Sequence, residues 1–148
     1  MQDLKNNLDY VKSLSPIVQA ADADTTGVDL QGFDSAAVLV DIGAPGVTYS
    51  SSVKLDLILE ESTDDATYTA VTANTSVTGG TVGSTGIFQT IDADGECNAV
   101  YGIGYVGGKR YIRVSLDFTG THSTGTAMGV SVLLGTPLHA PVTAKANL

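Results

Sequence analysis

The sequence predicts an all-β protein, an antiparallel β-sandwich that is jelly-roll-like and has about seven or eight strands. Three observations favour this fold. Apolar and polar residues alternate with a period of two over several stretches, as they do on a strand with one face in a core. Clusters of Gly, Asp, Ser and Thr separate these stretches and are typical of turns. The length of 148 residues suits one domain, and 17 glycines suit tight turns better than helices.

Residues 1–27 are expected to form an extended N-terminal arm with little structure of its own. Apolar residues from Leu4 to Leu14 recur near helical spacing, but Pro16 interrupts them. Residues 22–27 are rich in Asp, Thr and Gly and are interpreted as a turn. Such an arm can reach onto a neighbouring subunit, where new contacts offset the entropy that is lost when it becomes ordered.

The sandwich domain is expected over residues 28–137. Its clearest strand runs from Val53 to Glu60, where four apolar side chains point one way and mostly polar ones the other. The same alternation predicts further strands around residues 36–42, 68–71, 87–91, 100–106, 109–118 and 128–134. Residues 138–148 are expected to form a C-terminal tail that needs a partner to become ordered.

Composition narrows the class of function. The chain carries 16 acidic and 7 basic residues, and nucleic-acid affinity depends chiefly on Lys and Arg, so direct DNA or RNA binding is not expected. A single cysteine, Cys97, excludes an intrachain disulfide and a cysteine-based zinc site. The start of the chain lacks the apolar run of a signal peptide, and no stretch is long enough to span a bilayer. We therefore expect synthesis in the cytosol and no membrane contact.

No catalytic set is evident, and the sequence predicts a protein that is not an enzyme. The two histidines are His122 and His139. His122 precedes Ser123, but adjacent side chains of an extended chain point to opposite sides, so a nucleophile–base pair is not expected. We expect the His122 imidazole to fix its loop through a hydrogen bond to the backbone. His139 is expected to contact a partner or solvent.

Metal and cofactor sites are not predicted. The stretch from Asp92 to Glu96 is similar to the start of a calcium loop, but the twelfth position, which should be a bidentate Glu, is Ile103. The acids of this stretch, and the pair Asp64 and Asp65, are interpreted as solvated turn residues. The lack of tryptophan, together with the location of most tyrosines in strand patterns, argues against a surface that stacks on sugars.

Two glycines precede the one close basic pair of the sequence. Gly107 and Gly108 are interpreted as a hairpin turn that needs positive φ, and no Lys-Ser/Thr follows them as in a phosphate-binding loop. Lys109 and Arg110 have two open interpretations. They are either the solvated start of a strand or a clamp that binds carboxylates at an interface.

Several stretches of the sequence resemble a known family. They are residues 6–16, 32–35, 59–71, 101–114, 119–126 and 132–137. The most specific of them runs from Gly104 to Tyr111, through the two glycines and the basic pair. Together they resemble small proteins encoded beside the major capsid gene in tailed phages, prophages and gene transfer agents. Such proteins are head decoration (cement) proteins or bases of head spikes, and they are similar to jelly-roll sandwiches.

The resemblance implies a non-enzymatic virion structural protein, made in the bacterial cytoplasm, that binds the outside of a phage-like capsid as decoration or as the base of a head spike. Its partners would be the major capsid protein, copies of itself in a symmetric homo-oligomer, and a spike or fibre protein. The alternative is a carbohydrate- or calcium-binding β-sandwich adhesion module. The candidate capsid or oligomer contacts are Leu8, Tyr10, Val11, Leu14, Ile17, Val18, Lys109, Arg110, Leu138 and His139.

Overall fold

A computed structural model describes residues 3–142. Its strands, in chain order, are β1 (Leu8–Gln19), β2 (Ala23–Asp24), β3 (Val28–Asp29), β4 (Phe33–Ile42), β5 (Lys54–Ser62), β6 (Thr69–Ala70), β7 (Val77–Thr78), β8 (Ile87–Ile91), β9 (Ala99–Tyr105), β10 (Tyr111–Thr119) and β11 (Thr126–Pro137). Two short 3-10 turns cover Asn74–Ser76 and Asp94–Glu96. Within residues 3–142, no helix has the length and apolar character that a membrane crossing requires.

The strands form two antiparallel sheets that pack as a sandwich. The first sheet has the order β1-β11-β4-β9-β7. In the second sheet, β10 and β5 are central, β2 and β3 pair with β10, and β6 and β8 pair with β5. We count β2 and β3 as one interrupted strand. The main strands are then nested in pairs, from the outermost in the sequence to the innermost: β1 with β11, β2 and β3 with β10, β4 with β9, and β5 with β8. This nested pairing over two sheets is a jelly roll, so the predicted fold class is confirmed.

The core lies between the sheets and is built by the inward positions of the alternating strands. The fully buried side chains include three from each of β4, β5, β10 and β11, namely Val38, Val40, Ile42, Leu55, Leu57, Leu59, Ile112, Val114, Leu116, Val130, Val132 and Leu134. Burial of each such side chain stabilises the folded state by about 1.5–3 kcal/mol, compared with leaving it exposed to water. The period of two in the sequence therefore identified these inward faces correctly.

The prediction of an N-terminal arm with little structure of its own is wrong for residues 8–19. These residues form β1, which pairs along its length with β11 from Leu8 to Gln19. The register shifts between Lys12 and Leu14 and again between Leu14 and Ile17, and each bulge puts the alternation out of phase. The first bulge explains why Val11 and Leu14, which both pack partly against the core, are three residues apart, as in a helix. Pro16 lies within the second bulge and is tolerated there because β1 is an edge strand.

The start of the predicted C-terminal tail is held by the chain itself. The backbone N–H of Leu138 donates to the carbonyl oxygen of Gly32 at 3.0 Å. The backbone N–H of Val142 donates to the backbone carbonyl oxygen of Asn6 at 2.9 Å. The tail therefore runs back along the loop before β4 and the segment before β1. Residues 143–148 lie outside the described residues.

Candidate interaction surfaces

The outer face of the first sheet has many small side chains and few charges. The pairing register places its outward side chains in rows that cross β1, β11, β4 and β9. We call this surface the flat face and define it by Tyr10, Lys12, Ala37, Leu39, Asp41, Val100, Gly102, Gly104, Gly129, Ser131 and Leu133. A shallow, mainly apolar groove of about 480 Å³ crosses it. Tyr10 and Val100, both 60% exposed, border this groove on opposite sides.

Two glycines of β9 leave room for neighbouring side chains on the flat face. A Cβ atom on Gly102 would lie 3.0 Å from Cδ2 of Leu39, and one on Gly104 would lie 2.3 Å from Oγ1 of Thr78. Neighbouring side chains therefore occupy the space above these backbone positions. Glycine inside a strand weakens it, and its presence at both positions is explained by the packing of Leu39 and Thr78 over β9.

The outer face of the second sheet has the opposite character. Nε of Arg113 donates to Oε2 of Glu60 at 2.7 Å, and its Nη2 lies 2.9 Å from Oδ2 of Asp24. The guanidinium carbon also lies 4.1 Å from the ring centroid of Tyr68, which is a cation–π contact. Arg113 thus pairs with acids of this same face, as is typical of a surface that faces solvent.

One end of the sandwich gathers several of the sequence-predicted contacts. Strands β1 and β4 begin there, and β9 and β11 end there. We call this surface the Lys109 end and define it by Leu4, Leu8, Val106, Lys109, Arg110, Leu138 and His139. A cavity of about 420 Å³ at this end is lined by residues 30–36 and 105–110. Leu4, Val106 and Leu138 are 67%, 53% and 61% exposed, so the end presents apolar surface beside its basic residues.

The two members of the basic pair have different roles. The Arg110 guanidinium binds both carboxylate oxygens of Asp29, at 3.0 and 2.7 Å, and lies 5.0 Å from the ring centroid of Tyr111. The ion pair with Asp29 also raises the pKa of Arg110. The exposed Lys109 ammonium has no ion pair within residues 3–142. Of the pair, Lys109 is therefore the cation that is left for a partner's carboxylate.

The remaining sequence-predicted contacts lie along β1 and do not share one surface. Tyr10 is on the flat face, whereas Val11 pairs with an inward residue of β11 and packs partly against the core. Leu14 also packs partly against the core and borders the groove. Ile17 and Val18 are exposed at the far end of β1, away from the Lys109 end.

The turn before the basic pair differs from its prediction. Neither Gly107 nor Gly108 has positive φ. Glycine is required at position 107 for a steric reason, because a Cβ atom there would lie 2.4 Å from Cζ of Tyr105. The Tyr105 hydroxyl donates to Oε2 of Glu61 at 2.6 Å and accepts from the backbone N–H of Lys109 at 3.1 Å. The tyrosine thus fixes the turn that presents Lys109.

The buried histidine is built into the loop before β11. Nε2 of His122 lies 3.0 Å from the carbonyl oxygen of Thr119, so Nε2 carries the proton and donates. The ring packs edge-on against Phe118 and Tyr49, with centroid distances of 4.8 and 5.6 Å. This arrangement confirms the predicted hydrogen bond between the imidazole and the backbone. Ser123 is exposed, whereas the His122 side chain is buried.

The acidic turns are held by hydrogen bonds of their own. Oε2 of Glu96 accepts from the backbone N–H groups of Asp92 and Ala93, at 2.8 and 3.1 Å. Asp64 accepts from its own turn as well, and these bonds lower its pKa from 3.8 to about 2. Across residues 3–142, no group of three His, Cys, Asp or Glu side chains is placed to hold a metal ion. Burial raises the pKa of the Cys97 thiol, which disfavours a reactive thiolate.

No protein-family model matches the chain, and no curated protein matches it.

Proposed function

We propose that this chain is a non-enzymatic virion structural protein that binds the outside of a phage-like capsid, either as decoration (cement) or as the base of a head spike. The observation that carries the proposal is the Lys109 end, where exposed apolar side chains lie at the same end of the sandwich as a cation that has no ion pair within residues 3–142. Residues distant in the sequence, such as Leu8, Lys109 and Leu138, lie at this same end of the sandwich. Exposed apolar surface beside a basic side chain is typical of a protein-binding patch.

Both ends of the sandwich carry acidic residues, and the Lys109 end also holds the basic pair, beside Asp34 in its cavity. The opposite end of the sandwich carries Asp22, Asp92, Asp94 and Glu96, and the whole chain has a net charge of −9. Acidic surface is repelled by phosphates, so the end opposite the Lys109 end would point away from packaged nucleic acid. Jelly rolls serve as capsid and lectin domains in other proteins, an analogy at the level of the fold.

The proposal places the protein on the capsid exterior after synthesis in the bacterial cytoplasm. The major capsid protein is the partner of the Lys109 end, and His139 belongs to the same contact because it follows Leu138 in the held part of the tail. Copies of the chain assemble as a symmetric homo-oligomer, and a spike or fibre protein would bind the surface that faces outward. Repetition over a symmetric shell allows weak single contacts to give stable attachment.

A co-sedimentation assay tests the proposal. Capsids made without this protein are mixed with the purified protein and sedimented. The double variant Lys109→Gln with Leu138→Asp removes the free cation and places a charge in the apolar patch. We expect it to bind at least about tenfold more weakly, as for central interface residues. The wild-type protein should co-sediment with the capsids.

The matched control carries the same change in net charge at the far end of the molecule. It is Thr121→Glu with Val18→Asp, and Val18 is 57% exposed against 61% for Leu138. Retained binding by this control, with loss in the first variant, supports attachment through the Lys109 end. Equal binding by all three proteins, or no binding by the wild type, would refute it.

One observation favours the alternative, a carbohydrate-binding adhesion module. Tyr10 is 60% exposed beside the groove of the flat face, and an exposed aromatic ring can stack on a sugar. A glycan panel screened by thermal melting tests this function, with calcium added in a second arm. A shift of the melting temperature that Tyr10→Ala abolishes would support it, and no shift with any glycan or with calcium would eliminate it.

A further inference from the structure

We propose that the flat face binds the flat face of a second copy of this chain across a two-fold axis, with Lys12 of each copy facing Asp41 of the other. The proposal assigns a surface and a symmetry to the self-association in the proposed function. It rests on residues outside the Lys109 end, so it does not require capsid attachment.

The charges of the flat face favour a second copy of this chain as the partner that binds there. The chain has a net charge of −9, so two copies repel each other over most of their surfaces. The flat face is an exception, because Lys12 is its one base and Asp41 its one acid. Neither side chain has an ion pair within residues 3–142. A surface with one charge of each sign is complementary to its own copy in a two-fold arrangement, in which each contact occurs twice.

The register shows where the two-fold axis would pass. Lys12 pairs with Ser131, which pairs with Leu39, while Asp41 pairs with Gly129. Lys12 and Asp41 thus lie two strands and one side-chain row apart, a separation of about 12 Å from standard strand spacings. The midpoint falls on β11 between Gly129 and Ser131. These small side chains let the two backbones approach closely at the axis.

The size of the face is sufficient for a weak dimer. Four strands and three rows of side chains cover about 400 Å² per copy, so two copies bury about 800 Å² in total. This value lies in the range of weak, transient interfaces, so we expect micromolar or weaker affinity. The contact would also cover Tyr10 and Val100. High local concentration on a shell would strengthen it further.

Pairing through the free edge of β1 is a poorer route to the same dimer. Two bulges and Pro16 interrupt that edge, and both features oppose regular hydrogen bonding with another strand. Face-to-face packing needs no free backbone groups.

Sedimentation equilibrium over a range of protein concentrations tests the proposal through a charge exchange. Lys12→Asp places two acids together across the axis, and Asp41→Lys places two bases together. We expect each single variant to raise the dimer dissociation constant about tenfold or more, because like charges then face each other. The double variant Lys12→Asp with Asp41→Lys should restore dimerisation, since the reciprocal pairs return with exchanged signs.

A steric pair of variants provides the control. Ser131→Tyr fills the centre of the flat face, and Ser115→Tyr makes the same change at the outward centre of the second sheet. Loss of the dimer in the first variant and retention in the second supports the proposal. A wild type that is monomeric at all concentrations, a double variant that does not recover, or an oligomer that tolerates Ser131→Tyr would overturn it. None of these results depends on capsid binding by the Lys109 end.

Discussion

Among single residues, buried polar side chains show how the loops are attached to the sandwich. Ser13 of β1 is buried, and its hydroxyl lies 2.7 Å from Oγ1 of Thr25, which in turn accepts from the backbone N–H of Val114. This chain of bonds connects β1, the segment after β2, and β10. Because a buried polar group without a partner costs about 1–3 kcal/mol, such bonds fix one loop conformation over its alternatives.

His122 is the residue for which a structural role makes the clearest prediction. His122→Ala removes the bond to Thr119 and leaves a cavity beside Phe118 and Tyr49, so we expect a loss of about 2–4 kcal/mol in the free energy of unfolding. Urea denaturation measures this loss. The neighbouring change Ser123→Ala should have little effect, because Ser123 is exposed. A His122→Ala protein as stable as the wild type would contradict the structural role.

Asp64 makes the stability of the protein depend on pH. Its carboxylate accepts from the Ser62 hydroxyl at 2.9 Å and from the backbone N–H groups of Ala66 and Thr67 at 3.0 and 2.8 Å. These bonds lower its pKa from 3.8 to about 2. Since the folded state favours the ionised form, the stabilisation is complete above pH 3.8 and is lost as the pH falls through about 2.

Replacement by the neutral isostere tests this dependence. Asp64→Asn should melt at a lower temperature than the wild type at pH 7, and the difference should shrink as the pH falls from about 4 to about 2. Asp34→Asn is the control, because no hydrogen bond to the Asp34 carboxylate occurs within residues 3–142. A difference for Asp64→Asn that does not change with pH would show that the carboxylate bonds do not stabilise the turn.

The sequence predicted some single-residue roles and could not predict others. The backbone bond of His122 followed from local reasoning, because its partner is three residues away. The difference between Lys109 and Arg110 could not be predicted, because it depends on Asp29, which is 81 residues from Arg110 in the sequence. The steric need for Gly107 likewise depends on how the ring of Tyr105 lies, which no local pattern shows.

At the scale of elements, β1 is the largest departure from the sequence prediction. Its inward residues satisfy the period of two only in short pieces, because two bulges shift the register. A pattern search therefore finds either a broken helix or an irregular arm. The strand is specified instead by its long partner β11, whose alternation is regular and whose edge is otherwise open. Pairing between the two ends of a chain is a non-local property that sequence periodicity does not contain.

Truncation distinguishes a sandwich strand from an arm. Removal of residues 1–23 deletes β1, opens one edge of β11 and uncovers core residues beside Val11 and Leu14. We expect this protein to lose its cooperative thermal transition or to aggregate, as an exposed edge strand promotes association. Removal of residues 1–3 should leave the transition in place. A folded and monomeric protein without residues 1–23 would favour the arm.

For the whole molecule, the difference between the two outer faces is the main finding. Outward positions of β5 and β10 hold Lys54, Glu60, Arg113 and other polar residues, whereas those of β4 and β11 hold mainly Ala, Leu, Gly and Ser. The sequence contains this contrast in the alternate positions of four strands. It became visible only once the pairing placed β4 and β11 side by side in one sheet, because neither strand alone is apolar enough to indicate an interface.

The position of β11 has a consequence for how the protein is made. This strand lies between β1 and β4, although it follows every other strand in the chain. A ribosome therefore releases ten strands before the one that joins β1 to its sheet, and the nascent chain exposes open strand edges until then. Because the rows of the flat face run across β11, a prematurely terminated chain that stops before residue 126 lacks the centre of that surface. Only fully translated copies could then join one another.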